Sequence, residues 1–178
     1  MGAVTYNGRM RIALASVAAL AAVAASVAAA APTMAPTCEG NQLAGAFAAV
    51  PNSAGAGNIV YKLTLKNTST TPCAVTGLPQ GQLLGRKHNP LPTHVRAANR
   101  GALTAVLVTL LPGQSTFATA RFSPDVPGPG EGQVGRCEPV SYWFRVRAQG
   151  GGTSVVAVKP PTSVCEHGTL SFTAYGKR

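Results

Sequence analysis

The stretch Asn58-Ile59-Val60-Tyr61-Lys62-Leu63-Thr64-Leu65-Lys66-Asn67 decides the fold of this chain. Apolar or aromatic side chains occupy alternate positions from Ile59 to Leu65, and lysine and threonine take the opposite face from Lys62 to Lys66. Alternation with period two over this length, rich in β-branched and aromatic residues, is typical of a strand with one buried face. The sequence therefore predicts a β-strand here.

Two cysteines stand at equal distances from a turn that precedes this strand. Residues 52–57 are rich in glycine, asparagine and serine, which favour chain reversal. Cys38 precedes this segment and Cys73 follows it, and their midpoint falls at Gly55–Ala56. A reversal there pairs the strand before the turn with the strand after it. Both cysteines then lie at the open end of one hairpin.

The other two cysteines repeat this arrangement. The midpoint of Cys137 and Cys165 is Gly151, the centre of three consecutive glycines. Four cysteines allow three connectivities, and the symmetry around each glycine turn selects Cys38–Cys73 and Cys137–Cys165. An even number of cysteines is also typical of disulfide-bonded proteins outside the cytoplasm.

Residues 1–30 have the pattern of a secretory signal peptide. Arg9 and Arg11 precede residues 12–31, which contain only alanine, valine, leucine, isoleucine and two serines. Ala28-Ala29-Ala30 has the small residues found before a cleavage site. We expect residues 1–30 to be removed, 31–37 to form an exposed lead-in, and 38–178 to form one secreted or extracytoplasmic domain. An uncleaved anchor is the alternative, because the apolar run is long enough to span a bilayer. Met10 is an alternative start.

Several further segments have the pattern of short strands. Asn41–Val50 and residues 82–84 are weak examples, and Leu103–Leu111 is so apolar that we expect it to be buried on both faces. Alternation is clear in three segments: 116–122, 140–146 and 170–174. In the second of these Trp143 shares a face with two arginines and is expected to stack on one of them. Residues 155–158 return from the glycine turn, and Pro160-Pro161 is expected to end that strand.

Seven to nine short strands without helical periodicity predict an all-β fold, an antiparallel β-sandwich with two disulfide-clamped hairpins. Three motifs support a specific resemblance: Leu65-Lys66-Asn67-Thr68-Ser69, Pro72-Cys73-Ala74-Val75-Thr76-Gly77-Leu78-Pro79 and Leu111-Pro112-Gly113-Gln114-Ser115. With the four-cysteine frame, they make the chain similar to the exported actinobacterial domain of unknown function 4232. The resemblance spans about Cys38 to Ala174 and implies an immunoglobulin-like sandwich outside the membrane. It implies no activity and no functional residues.

The sequence contains few residues suited to catalysis, and we expect a non-catalytic protein without cofactor or bound metal. The only acidic residues are Glu39, Asp125, Glu131, Glu138 and Glu166. The segment Gly113–Phe117 lacks the closing glycine of a nucleophile elbow. An alternative is a metal-dependent factor or enzyme using His88, His94 and His167. Another alternative is a secreted protein-interaction domain.

Charge gives the most specific functional hypothesis. Without residues 1–30 the chain has 13 basic and 5 acidic side chains, a formal net charge of +8. Such a protein is expected to adhere to anionic surfaces, either a wall polymer or acidic lipid. Residues 85–101 show no periodicity and are expected to form a flexible basic loop that binds an anionic cell-envelope component. Its six candidate side chains are Arg86, Lys87, His88, His94, Arg96 and Arg100.

Two further expectations concern the partner. The histidines in this segment would gain charge below about pH 6.5, which would strengthen binding to a polyanion. Nucleic acid is not an expected partner, because export removes the protein from the usual compartment and the segment has no aromatic residue on which a base could stack.

Overall fold

A computed structural model describes residues 1–3, 34–99, 101, 106–132 and 137–176. The chain divides into two compact units, Met1–Thr33 and Met34–Arg178, and the second unit is the subject below. The predicted signal peptide, its cleavage site and the anchor alternative lie outside the described residues, as does Arg100.

The described part of the second unit is almost entirely β-structure, which confirms the predicted fold class. Its strands are β1 (Leu43–Ala49), β2 (Ile59–Asn67), β3 (Cys73–Val75), β4 (Gln80–Leu84), β5 (His94–Ala97), β6 (Val108–Leu110), β7 (Ser115–Phe122), β8 (Ser141–Arg147), β9 (Thr153–Thr162) and β10 (Thr169–Phe172). A 3-10 turn at Gly40–Gln42 precedes β1, and a one-turn segment at Cys165–Gly168 precedes β10.

Eight strands form one sheet in the order β4-β8-β9-β1-β2-β7-β10-β5, and β3 pairs with β6 in a second, two-stranded sheet. The edge strands β4 and β5 follow one another in the chain. The connection between them bonds back to β4, since the Leu91 N–H donates to the Leu83 carbonyl at 2.9 Å. The Leu83 N–H in turn donates to Thr93 Oγ1 at 2.9 Å. The two edges of the sheet are therefore joined by a short, ordered connection.

Six pairings are antiparallel and two are parallel, namely β1 with β9 and β10 with β5. The all-β fold is therefore not purely antiparallel. Each parallel pair joins strands far apart in sequence, a relation that local patterns cannot reveal. Of the lead-in, residues 34, 36 and 37 are exposed, and residues before Cys38 also pair with β3. The Ala74 N–H donates to the Pro36 carbonyl at 2.8 Å.

The core lies between the inner faces of the folded sheet. Phe47 is fully buried, and its ring centroid lies 5.3 to 5.8 Å from those of Tyr61, Phe144 and Phe172. The alternation from Ile59 to Leu65 places Tyr61, Leu63 and Leu65 inward, as predicted.

Both predicted hairpins and both predicted disulfides are present. β1 pairs with β2, and β8 pairs with β9. Cys38–Cys73 joins the open end of the first hairpin with a Cα–Cα distance of 4.8 Å. Cys137–Cys165 does the same for the second, at 5.5 Å.

Three expectations about the strands were wrong. Residues 103–105 lie outside the described part of the chain, and the remainder of Leu103–Leu111 is not buried on both faces. There β6 spans Val108–Leu110, and Leu107 and Leu111 are 42% and 49% exposed. Pro160-Pro161 does not end β9, which runs to Thr162. A bulge between Ser141 and Trp143 interrupts the ladder there, so neither proline has a paired residue on β8 to which an N–H group would donate.

The third error concerns residues 85–101, which are not one flexible loop. They contain an ordered turn and the edge strand β5. A strand of four residues is too short for alternation to reveal it.

Candidate anion-binding surface

The turn that follows β4 carries the first three candidate cations. The Gly85 N–H donates to the Asn89 carbonyl at 2.9 Å and the His88 N–H to the Gly85 carbonyl at 3.0 Å, which closes a compact turn. Arg86, Lys87 and His88 are all exposed. The turn therefore presents one guanidinium, one ammonium and one imidazole group to solvent.

Two aromatic side chains of β8 hold this turn in place. Arg86 Nη2 donates to the Tyr142 hydroxyl at 2.8 Å, and the guanidinium carbon lies 4.6 Å from the Tyr142 ring centroid. The His88 ring meets Trp143 edge-on at 5.0 Å. The cation–π contact predicted for Trp143 is instead made by its neighbour, Tyr142, with Arg86. Trp143 contacts the ring of His88.

The other candidate cations of the segment lie on β5. Arg96 Nε donates to Ser171 Oγ at 2.8 Å, and Arg96 Nη2 lies 3.7 Å from a carboxylate oxygen of Glu166. His94 is also on β5 and is exposed. The six predicted residues therefore divide into a turn group and a strand group, with Arg100 outside the described residues. Arg96 is already partly neutralised.

Sequence reasoning missed two arginines as binding residues. Arg145 and Arg147 lie on the outward face of β8, and they line an open cavity of about 220 Å³ together with Gly81, Gln82, Pro90 and Thr153. Within the described ranges neither guanidinium has a carboxylate within 4.0 Å. Arginines at i and i+2 of a strand lie about 7 Å apart, close enough to hold one anionic group together.

The walls of this cavity depend on a glycine. A Cβ atom at Gly81 would lie 2.4 Å from the Arg145 carbonyl oxygen and 2.6 Å from the Phe144 ring. Only glycine lets β4 approach β8 this closely. Pro90, at the end of the turn, also lines the cavity, so the turn and the arginines form one surface. We call Arg86, Lys87, His88, Arg145 and Arg147 the basic face.

A buried carboxylate, that of Glu131, lies in the turn before β10. The Cys165–Gly168 turn is left-handed, with φ of +54° at Glu166, +56° at His167 and +76° at Gly168. Consecutive N–H groups in such a turn converge and attract an anion. Glu131 fills this position: it accepts hydrogen bonds from the N–H groups of Gly128 (2.5 Å), Glu166 (2.9 Å) and His167.

The same carboxylate belongs to a cluster with Glu138 and His167, whose ligand atoms lie within 4.8 Å of one another. Burial would raise the pKa of Glu131, but the three N–H donors lower its pKa below the ordinary 4.5. Burial and the Glu131 charge raise the pKa of Glu138. Both Glu131 oxygens already accept backbone hydrogen bonds. The role of this carboxylate is therefore to stabilise the Cys165–Gly168 turn.

The three histidines do not come together as a metal site. In the described part of the chain the one group of potential ligands is that of Glu131, Glu138 and His167, without His88 or His94. His88 contacts Trp143, and His94 lies on β5. His167 Nε2 lies 3.0 Å from the Pro129 carbonyl, to which it donates.

The sequence motifs have structural roles. Asn67 is fully buried, and its side chain donates to the carbonyls of Thr71 (2.8 Å) and Leu110 (3.0 Å). Its backbone carbonyl accepts from the Gly113 N–H at 2.8 Å, which joins the Asn-Thr-Ser motif to the Leu-Pro-Gly-Gln motif. The Gly77 carbonyl accepts from the Tyr175 N–H at 2.9 Å. These motifs therefore tie strand ends together.

Comparison with known proteins identifies a family that includes these motifs and the four cysteines. Among the residues described, no helix has the length and apolar character needed to cross a membrane. No curated protein and no solved structure matches the chain. The segments that suggested the resemblance are those that join β2, β3 and β6 and hold the first disulfide. Residues 38–176 match the family described as Domain of unknown function (DUF4232), and the chain belongs to that family.

Proposed function

We propose that this protein is an exported, non-catalytic domain that binds an anionic component of the cell envelope through its basic face. One observation carries the proposal: Arg145 and Arg147 line an open cavity and have no carboxylate within 4.0 Å among the described residues. Arg145 is half-buried and Arg147 is exposed. Guanidinium groups at an open cavity without a carboxylate partner are suited to bind phosphate or carboxylate with two parallel hydrogen bonds.

Two further properties support this function. The formal net charge of the whole chain is +10, and it is +8 if residues 1–30 are removed. Two disulfides support a location outside the cytoplasm. The role of Glu131 as acceptor for three backbone N–H groups favours a structural use of the carboxylate cluster over acid–base catalysis.

The test is retention of the exported protein on immobilised poly(glycerol phosphate) over a series of salt concentrations. An arginine near an anionic surface contributes about 1 kcal/mol, so losing two should weaken binding about thirtyfold. We therefore expect Arg145→Ser/Arg147→Ser to elute at clearly lower salt. Arg86→Ser/Lys87→Ser should act in the same direction, with a smaller effect because Arg86 is engaged with Tyr142.

The matched control is Arg96→Ser/Arg121→Ser, which removes the same charge elsewhere. Arg96 is paired with Glu166, and Arg121 is an exposed residue of β7. We expect this variant to elute close to the wild type. Retention that does not depend on salt, or an equal loss in the control, would contradict binding through the basic face.

A further inference from the structure

A second cavity lies on the outer surface of β2 and β7, away from the basic face. It has a volume of about 280 Å³ and is lined by Lys62, Thr64, Ser115, Thr116 and Phe117. The strand registers explain the grouping, because Thr64 lies opposite Phe117. One aromatic ring, three hydroxyl groups and one ammonium group thus surround one open space.

Two of the three hydroxyl groups and the ammonium group of this cavity are available to a ligand. The Thr116 hydroxyl donates to the Gly176 carbonyl at 2.8 Å and is therefore engaged. In the part of the chain that the structure describes, the side chains of Thr64 and Ser115 make no hydrogen bond, and Lys62 has no carboxylate within 4.0 Å. Both hydroxyls can donate and accept, whereas the ammonium group only donates.

The surroundings add positive charge and leave access open. Lys66 lies opposite Ser115, on the outward face of β2 beyond Thr64. On β1 the residues opposite Lys62, Thr64 and Lys66 are alanines, so no long side chain covers the cavity from that side. The sequences of β1, β2 and β7 contain no acidic residue. An anionic ligand would meet no charge repulsion from these strands.

We propose that this cavity binds a sugar phosphate unit. The hydroxyls of Thr64 and Ser115 would exchange hydrogen bonds with sugar hydroxyls, and the face of the Phe117 ring, which carries negative charge density, would pack on the C–H face of the sugar. Lys62 and Lys66 would bind the phosphate by charge-assisted hydrogen bonds. The volume lies at the lower end for small-molecule sites and suits one sugar unit.

This site goes beyond the proposed function and does not depend on it. Its residues lie on β2 and β7, whereas the basic face lies on β8 and the turn after β4. The ligand class also differs, since the cavity requires a sugar ring as well as phosphate. The source of the unit is either a phosphorylated glycan chain or a free sugar phosphate.

The test is calorimetric titration of the exported protein with four probes: phosphomannan, neutral mannan, mannose 6-phosphate and polyphosphate. We expect binding of phosphomannan and mannose 6-phosphate that is weakened at least tenfold by Phe117→Leu and by Lys62→Ser. Tighter binding of phosphomannan per phosphate would identify the chain as the source, and equal binding the free sugar phosphate. Arg121→Ser, a nearby exposed cation of β7, should leave both affinities unchanged.

The basic-face variant Arg145→Ser/Arg147→Ser separates the two sites. It should weaken polyphosphate binding about thirtyfold and leave mannose 6-phosphate binding unchanged. Amide chemical shifts of wild-type protein provide a readout that needs no variant: mannose 6-phosphate should move residues 62–66 and 115–117 most. Equal affinity for neutral mannan, shifts elsewhere, or full binding by both cavity variants would overturn the assignment.

Discussion

The rings of Phe144 and Phe172 lie 5.8 Å apart with an interplanar angle of 29°. Phe144 is on β8 and Phe172 on β10, the second and seventh strands of the eight-stranded sheet. Strands five places apart in a sheet cannot bring side chains together unless the sheet folds over. Phe47, from the intervening β1, contacts both rings. The aromatic cluster therefore holds the two halves of the folded sheet together.

Replacing the central ring should destabilise the fold strongly. Phe47 is fully buried, so Phe47→Ala should lower the free energy of unfolding by about 3–5 kcal/mol. Val155, on the outer face of β9, is 45% exposed, and Val155→Ala should cost about 0.5 kcal/mol or less. Urea denaturation measures both. A loss of similar size in the two variants would contradict a core centred on Phe47.

Each disulfide should contribute comparably to stability. The two bridges close loops with sequence separations of 35 and 28. Loops of this length predict about 3–4 kcal/mol each from the reduced entropy of the unfolded chain. We expect Cys38→Ala/Cys73→Ala and Cys137→Ala/Cys165→Ala to lose about this much in denaturation experiments. Peptide mapping without reduction should find these two pairs, and a Cys73–Cys137 link would refute the hairpin arrangement.

Asn67 should be the most sensitive residue of the sequence motifs. Besides its two donated hydrogen bonds, its Oδ1 accepts from the Ser69 N–H at 2.9 Å and from Ser69 Oγ at 2.7 Å. Asn67→Ala leaves buried partners unsatisfied and should cost about 2–4 kcal/mol. Asn67→Asp should be no better, because a carboxylate would face two carbonyl oxygens. Asn41→Ala, at an exposed position, is the control in urea denaturation. An unchanged free energy of unfolding in Asn67→Ala would contradict this explanation of the motif.

Glu131 and Glu138 should respond to pH in opposite directions. The pKa of Glu131 is lowered in the folded state, so its stabilising contribution is present above its ordinary pKa of 4.5 and is lost as pH falls through the lower folded value. Glu131→Gln should therefore cost about 2 kcal/mol at pH 7, and the difference from wild type should shrink below about pH 4.

The pKa of Glu138 is raised, so its ionised form is disfavoured in the folded state. Glu138→Gln should be neutral or stabilising at pH 7, and the wild type should regain stability relative to it as pH falls. Thermal unfolding between pH 3 and pH 7 measures both variants. If the stability of both variants relative to wild type depended on pH in the same way, the backbone N–H groups would not lower the pKa of Glu131 selectively.

Alternation predicted the long strands because each has one buried and one exposed face, as β2, β7 and β8 show. The disulfides followed from glycine turns placed midway between cysteines. By contrast, β3, β5 and β6 have three or four residues each, too few for a period to appear. The left-handed turn at Glu166 had no local signal, because it depends on Glu131, 35 residues earlier in the chain.

The candidate site was predictable only in part. The positive charge of residues 86–96 was visible in the sequence, but its division between a turn and β5 was not. Arg145 and Arg147 were expected to share a face with Trp143, and that alternation is present. Their grouping with Gln82 and Pro90 requires the pairing of β4 with β8, which is a long-range contact. An outward pair of arginines on a strand without acidic residues was the available signal.

Binding through the basic face is tested most directly by an amide chemical-shift titration of the protein with inorganic tripolyphosphate, a probe that carries charge but no sugar. Binding through the basic face predicts saturable shifts that are largest at residues 81–88 and 145–147 and that weaken as salt is added. Shifts spread evenly over all lysines and arginines, or largest on another face, would contradict the account.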